Sequence, residues 1–223
     1  MIYDFDKPID RRGSGDLKHE VLQERYGRSD LLPLWVADMD WETPNFITDA
    51  LKQRLEHSLF GYTVEPKDYW QTVQQWIEEH HQWKVEREWM TYIPGIVKGI
   101  GMVINFFLEE DAKVIVQPPI YHPFFLTPRG NQREVVWNPL APLLSPQGGM
   151  SYQMDFENLE QVCDEKCRLL ILANPHNPAG IVWTRRPCNV WRTLPRSTTS
   201  SSSAMRYMPT WRSGATATSP LPP

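Results

Sequence analysis

Cysteine is nearly missing from this sequence, three residues in 223, and a disulfide framework is excluded with it. Cys163 and Cys167 lack the His/Cys pair that would complete four zinc ligands, so they read as ordinary thiols of a reducing compartment. Long apolar runs are missing as well, and nothing is long enough to span a bilayer. Met1 to Asp6 carry neither the basic nor the apolar region of a secretory signal, so a cytoplasmic location is expected. Positive charge is not in excess. The formal net charge is −4 and no Lys/Arg stripe forms, which argues against nucleic-acid and membrane partners.

What remains is the composition of an ordinary folded chain, 41% hydrophobic and 22% charged, with unusually many prolines (20) and tryptophans (10). Residues 1–30 read as an extended polar arm with a short helix near Lys18–Tyr26. Leu31 to Val36 is an apolar segment, and the two acids Asp38 and Asp40 follow it. They can be a carboxylate pair for acid/base work, metal ligands, or a turn before the helix expected over Pro44–Leu59. Asp68 is a candidate N-cap for a helix running through Trp76, Ile77 and His80. His80 and His81 fall on its polar end, as a solvated face.

From Met90 onward the pattern alternates. A strand over Met90–Ile93 meets a tight Pro94-Gly95 turn and a helix from Ile96 to Phe107. Further strands are expected at Lys113–Val116, Glu134–Asn138 and Leu169–Ala173, with a helix over Met154–Val162. This is an α/β class with a mostly parallel sheet. Leu169–Ala173 is a short apolar run bounded by turn residues, the habit of a strand buried on both faces. Asn174-Pro175-His176-Asn177-Pro178 then takes the chain off the sheet at a strand's carboxyl end, where open α/β sheets place their ligands. Asn177 is either the polar cap of that exit or a ligand-binding amide. Gly95 lets an anion approach the first free amides of the following helix, Ile96 and Val97 among them, although many βα turns look alike. Tyr121, just past a strand end, is a packing residue or a stacking face for a flat cofactor.

Taken in order, these stretches resemble the fold-type I pyridoxal-phosphate enzymes, in particular the MalY/PatB group of cystathionine β-lyases within the class I/II aminotransferases. The carriers are Leu31 to Trp41, Phe60-Gly61-Tyr62, Pro94 to Val97, Pro118 to Phe124, Gly130-Asn131 and Asn174 to Trp183. The resemblance runs from about Tyr3 to Thr184. It implies the large domain of a pyridoxal-phosphate-dependent transferase fold, incomplete at its C-terminus. Residues 1–45 would be an arm and a segment of the small domain, and 46–184 the first part of the cofactor-binding domain. It also implies pyridoxal 5′-phosphate as cofactor, with Gly95, Ile96 and Val97 at the phosphate, Tyr121 on the ring and Asn177 at the ring hydroxyl oxygen. Tyr62 would reach the phosphate of a neighbouring subunit in a homodimer. Ala37 and Asp38 would line the side facing a small amino-acid substrate. The implied reaction is α,β-elimination at a carbon–sulfur bond, giving a thiol, pyruvate and ammonia. A class I/II aminotransferase is the alternative, and a fragment binding a full-length subunit is a non-catalytic one.

Two groups this chemistry requires are not recognisable. The family's Schiff-base lysine lies well after the Asn177 motif, yet the last lysine here is Lys166, and no aspartate follows Asp164. No catalytic residue is therefore assigned; Lys98 and Lys113 are near the site in sequence, but no motif places them on the aldehyde. Residues 185–223 are Ser/Thr/Arg/Pro-rich and read as a disordered tail. Reread in a shifted frame, codons compatible with Thr199–Trp211 allow an apolar run followed by Ser-Asp-Glu-Ile-His-Ala-Asp-Met, which matches the family's next strand. The expectation is a truncated, inactive product with a frame change between about Trp183 and Cys188.

Overall fold

In a computed structural model, residues 3–144 and 148–183 are described. The expected tail, residues 185–223, lies outside them. The chain divides into two units, Met1–Glu65 and Pro66–Pro223.

The first unit is mostly irregular. The single helix expected near Lys18–Tyr26 is two short ones, α1 (Leu17–Glu20) and α2 (Leu22–Tyr26), separated at Val21. Asp16 caps α1, its side chain accepting from the Lys18 amide, and Gly27 ends α2 in the left-handed conformation at φ 67°. Residues 27–44 form no helix or strand. α3 (Asn45–Glu56) follows with none of its residues buried.

The second unit holds the sheet. α4 (Tyr69–His81) starts after Asp68, which occupies the N-cap position but makes no side-chain capping bond; its carbonyl accepts from the Thr72 amide instead. The Gln74 side chain donates to the Val85 carbonyl at 2.7 Å, and Arg87 stacks over Trp70 at 4.0 Å, tying a 3₁₀ turn at Arg87–Trp89 to the helix. The strand expected over Met90–Ile93 does not form: an extended segment becomes a strand only by pairing, and no ladder among the described residues includes it. α5 (Ile96–Phe107) forms where the sequence places it, because Ile100 and Ile104, one turn apart, are both fully buried.

β1 (Lys113–Val116), α6 (Pro123–Gly130) and β2 (Glu134–Trp137) come next. Proline at the first position starts α6, a helix not anticipated from the sequence; its missing amide is one that a first helical turn leaves unbonded anyway. A hairpin of β3 (Ala141–Leu144) and β4 (Met150–Gln153) was also not anticipated. Its strands are mostly exposed, so they lack the apolar alternation that signals a strand. α7 (Phe156–Val162) is capped by Asp155, whose carboxylate accepts from the Asn158 amide at 2.9 Å.

β5 (Cys167–Leu170) completes a three-stranded parallel sheet in the order β2-β1-β5. The strand expected at Leu169–Ala173 is thus shifted toward the N-terminus. Ile171, Leu172 and Ala173 are buried but leave the ladder; only the Ile171 amide still reaches it, at the Ile115 carbonyl. Their apolar character comes from the core they fill rather than from strand pairing. Central β1 has Val114, Ile115 and Val116 all buried, as a strand covered on both faces must. Val114 and Val116 join Ile100, Ile104, Phe124, Leu169, Ile171 and Ala173 in one cluster. Each of the valine, isoleucine, leucine and phenylalanine side chains contributes about 1.5–3 kcal/mol on burial. A second cluster, Leu140, Met154, Leu172 and Trp183, lies under the hairpin.

Candidate functional site

The geometry starts from the parallel sheet. Neighbouring strands β1 and β5 end side by side, and each exits through prolines: Gln117-Pro118-Pro119 after β1, and Asn174 to Pro178 after β5. The two exits are bonded to one another, the Tyr121 amide donating to the Asn177 carbonyl at 3.0 Å. Tyr121 is exposed, its ring edge-on to Phe124 with centroids 5.8 Å apart; Phe124 is buried and braces the tyrosine. Asn177 is exposed, leaving its side-chain amide open to a ligand.

Three features hold the second exit in shape. Gly180, at φ 67°, lets the chain turn back, so that the His176 amide donates to Ile181 O at 2.6 Å and the Gly180 amide to His176 O at 2.8 Å. The Asn174 side-chain oxygen accepts from the Trp183 amide at 3.0 Å. The Trp183 indole N–H donates to Ala173 O, also at 3.0 Å. His176 is buried edge-on to that indole, and burial lowers its pKa.

A polar pair that sequence reasoning missed underlies the first exit. Gln117 and Asn138 are fully buried; Gln117 Nε2 donates to Asn138 Oδ1 at 2.9 Å. Asn138 in turn donates to the Asp155 carbonyl and to Asn158 Oδ1, both at 2.9 Å. Their only signal in the sequence is position, an amide side chain one residue past an apolar strand.

The N-terminus of α5 is left open to solvent by its own capping geometry. Gly95 sits at its N-cap with φ 108°, a conformation that L side chains rarely adopt, and no side chain caps the helix. The first-turn amides of Ile96 and Val97 therefore have no intrahelical acceptor. Ile96 and Ile120 pack against the same core cluster as Phe124 and Ala173. That shared core links α5's first turn to both strand exits. Lys113 is excluded from this end: it begins β1, at the strand's opposite end, and is ion-paired to Asp164 at 2.7 Å and Glu134 at 3.4 Å.

Ala37, Asp38 and Tyr62 belong to the first unit, and all three are exposed, Tyr62 completely. Asp38 and Asp40 are not a free acid/base pair, since both are ion-paired. Among the described residues no group of three His, Cys, Asp or Glu side chains is placed to hold a metal ion. The Arg11 guanidinium reaches Asp38 at 2.7 Å and Asp40 at 2.8 Å, and Lys18 Nζ reaches them at 3.1 and 2.9 Å. Hydrogen bonding to Arg11, then Lys18, holds the Asp38 carboxyl down to about 2, and Lys18 lowers Asp40 likewise. Both carboxylates are spent on cations.

A parallel sheet, an uncapped helix N-terminus and two bonded strand exits thus set an aromatic ring, a side-chain amide and first-turn backbone amides around one core. The chain belongs to the aminotransferase class I and II family, which it matches over residues 29–194. Among curated proteins it is similar to cystathionine beta-lyase PatB of Bacillus subtilis, 42% identical over 182 residues, covering 81% of this chain and 46% of PatB. Protein MalY of Escherichia coli is 30% identical over 185 residues, with 82% and 46% covered. Among solved structures, cystalysin from Treponema denticola, which contains a pyridoxal 5′-phosphate cofactor, aligns with a TM-score of 0.74 at 29% identity, over 87% of this chain and 49% of that one. The pyridoxal-phosphate-bound C-S lyase from Staphylococcus hominis gives 0.71 at 29% identity, over 86% and 48%. The chain spans about half the length of the curated relatives it matches. No helix among the described residues is long and apolar enough to cross a membrane.

Proposed function

We propose that this chain carries the first half of a pyridoxal-phosphate-dependent carbon–sulfur β-lyase, and that its own share of the work is cofactor binding. The observation that carries the reading is the Tyr121–Asn177 bond, which puts an aromatic face and a free amide on adjoining exits of two parallel strands. Its relatives among the cystathionine β-lyases support the same reading. The residues fit the cofactor. The uncapped first turn of α5 suits its phosphate, with Gly95 leaving the approach open and the amides of Ile96 and Val97 donating. Tyr121 offers a ring to a planar heterocycle, and the Asn177 amide donates to a phenolic oxygen. When bound, pyridoxal phosphate supplies an electron sink for negative charge developing at an amino acid's Cα.

In the whole protein the reaction is α,β-elimination: the Cα proton is lost and the carbon–sulfur bond at Cβ breaks to release a thiol, and water hydrolyses the remaining enamine to pyruvate and ammonia. Ala37 and Asp38 face the amino-acid substrate, and fully exposed Tyr62 reaches the phosphate site of a second subunit. Residues 1–45 serve as arm and small-domain segment, and 46–184 as the first part of the cofactor domain. Within these 223 residues neither a lysine nor an aspartate follows Asn177, so the family's Schiff-base lysine is not assigned among them.

Titration with pyridoxal 5′-phosphate, followed by quenching of tryptophan fluorescence, tests this. Saturable binding that weakens in Tyr121→Ala and in Asn177→Ala is expected, with no stoichiometric mass gain on any one lysine after borohydride reduction. Binding that is absent, or indifferent to both substitutions, overturns the reading. In the whole protein, pyruvate released from cystathionine separates the lyase from an aminotransferase, which would leave a 2-oxo acid of unchanged carbon skeleton.

A further inference from the structure

The segment from Leu31 to Pro44 forms neither helix nor strand, and much of its apolar surface is exposed, Leu32 by 82% and Leu34 by 88%. Without a core to sit in, its position has to come from somewhere else. Its second half is strapped to the N-terminal arm. Tyr3 donates to the Asn45 side-chain oxygen at 3.0 Å, the Trp41 indole to Phe5 O at 3.0 Å, and Lys7 to Glu42 at 2.6 Å. Those contacts are single and mostly exposed, and such pairs hold weakly.

The centre of the strap is different. The Arg11 guanidinium takes three carboxylates at once, Asp16 and Asp38 at 2.7 Å and Asp40 at 2.8 Å. Asp16 is buried and is fixed independently, as the cap of α1 and as the partner of His19 Nδ1. Lys18, on α1 and itself buried, donates to the Asp38 carbonyl at 3.1 Å and to Asp40 at 2.9 Å. A planar fork with several donors can satisfy a set of carboxylates that a point charge cannot. Arg11 therefore links an anchored acid on the arm to two acids on the irregular segment, while Lys18 grips the same segment's backbone.

We propose that Arg11 and Lys18 are positioning residues, a cationic clasp that fixes the Ala37–Asp38 segment in place before any substrate arrives. The proposal rests on the reading of Ala37 and Asp38 as the substrate side. In it Asp38 acts as a handle for the clasp, and what the segment offers a substrate is its backbone and the Ala37 side.

Hydrogen–deuterium exchange on the whole chain tests the two parts separately. In the unliganded protein, Arg11→Met and Lys18→Met should each speed exchange of the amides at 36–40 at least tenfold, while those of α3 stay unchanged. Lys18→Arg should keep wild-type exchange, and Arg11→Lys should not, because an ammonium cannot span all three acids. Exchange at 36–40 that is unchanged in both Met variants, or raised equally across α3, overturns the clasp. Adding pyridoxal 5′-phosphate with L-cystathionine should further protect residues 37 and 38 in the wild-type chain and less so in Arg11→Met. Ligand protection missing in the wild type overturns the substrate-side role, and with it the reading it rests on, whatever the unliganded exchange shows.

Discussion

The Tyr121 amide donates to the Asn177 carbonyl at 3.0 Å, bonding the loop that leaves β1 to the loop that leaves β5. Two residues 56 positions apart in sequence thus share one rim, and their side chains can act on one ligand. Stacking on an aromatic ring contributes about 0.5–1.5 kcal/mol and one neutral hydrogen bond about the same. Tyr121→Ala and Asn177→Ala should each weaken pyridoxal 5′-phosphate binding by about 3- to 10-fold. Tyr121→Phe should stay within about twofold, since the ring remains. Fluorescence titration of the four proteins reads this directly.

Gly95 should tolerate no side chain, for a reason of backbone rather than space. Nothing lies within 4 Å of a Cβ built there, but φ is 108°. Gly95→Ala is expected to cost about 1–2 kcal/mol. In a chain of this size that lowers Tm by about 2–8 °C. Thermal unfolding followed by circular dichroism checks it, and a melting temperature equal to wild type would show that α5 begins differently.

Asn138→Ala should destabilise by about 1–3 kcal/mol through the partners it abandons. Gln117 Nε2 loses its acceptor inside a fully buried site. Urea unfolding measures the loss. Asn138→Asp keeps the Gln117 bond but sets a carboxylate against two acceptors, the Asp155 carbonyl and Asn158 Oδ1, and should be worse.

How much of this was legible beforehand differs by residue. The alternation of strands and helices, the apolar β1 and the Gly95-started α5 could be read because periodicity and turn chemistry are local. Asn177 and Tyr121 could be placed at strand ends but not beside one another, since their bond depends on which strands become neighbours. Gln117, Asn138, Arg11 and Lys18 were missed for the same reason: each has its meaning through a partner 20 or more residues away. The Met90–Ile93 strand was over-read, because strand propensity says nothing about whether a partner is present.

The Asp38 carboxyl should mark the acid limit of the first unit. Its folded pKa of about 2 lies below the ordinary value of 3.8. The stabilisation is therefore complete above about pH 4 and is lost as pH falls through about 2. NMR titration of the Asp38 carboxyl should show the depressed midpoint, and Arg11→Met should bring it back toward 3.8. A midpoint near 3.8 in the unsubstituted chain would mean that the ion pairs do not persist in solution.

Cys167 should be slow to alkylate. Burial pushes its thiol up to about 12, so little thiolate exists at pH 8. Iodoacetamide labelling located by peptide mass should run at least about 100-fold slower at Cys167 in the native chain than in urea. Equal rates would show that the start of β5 opens freely.

The strand order β2-β1-β5 also has a bearing on synthesis. β1 is the middle strand, yet its two neighbours arrive at different times, Glu134 opposite Lys113 first and Cys167 opposite the same Lys113 much later. At about 5–20 residues per second on the ribosome, roughly 3–10 s separate the emergence of β1 from that of β5. During that interval one edge of the most apolar strand is open, and the nascent chain offers a binding register to chaperones and to other nascent chains alike.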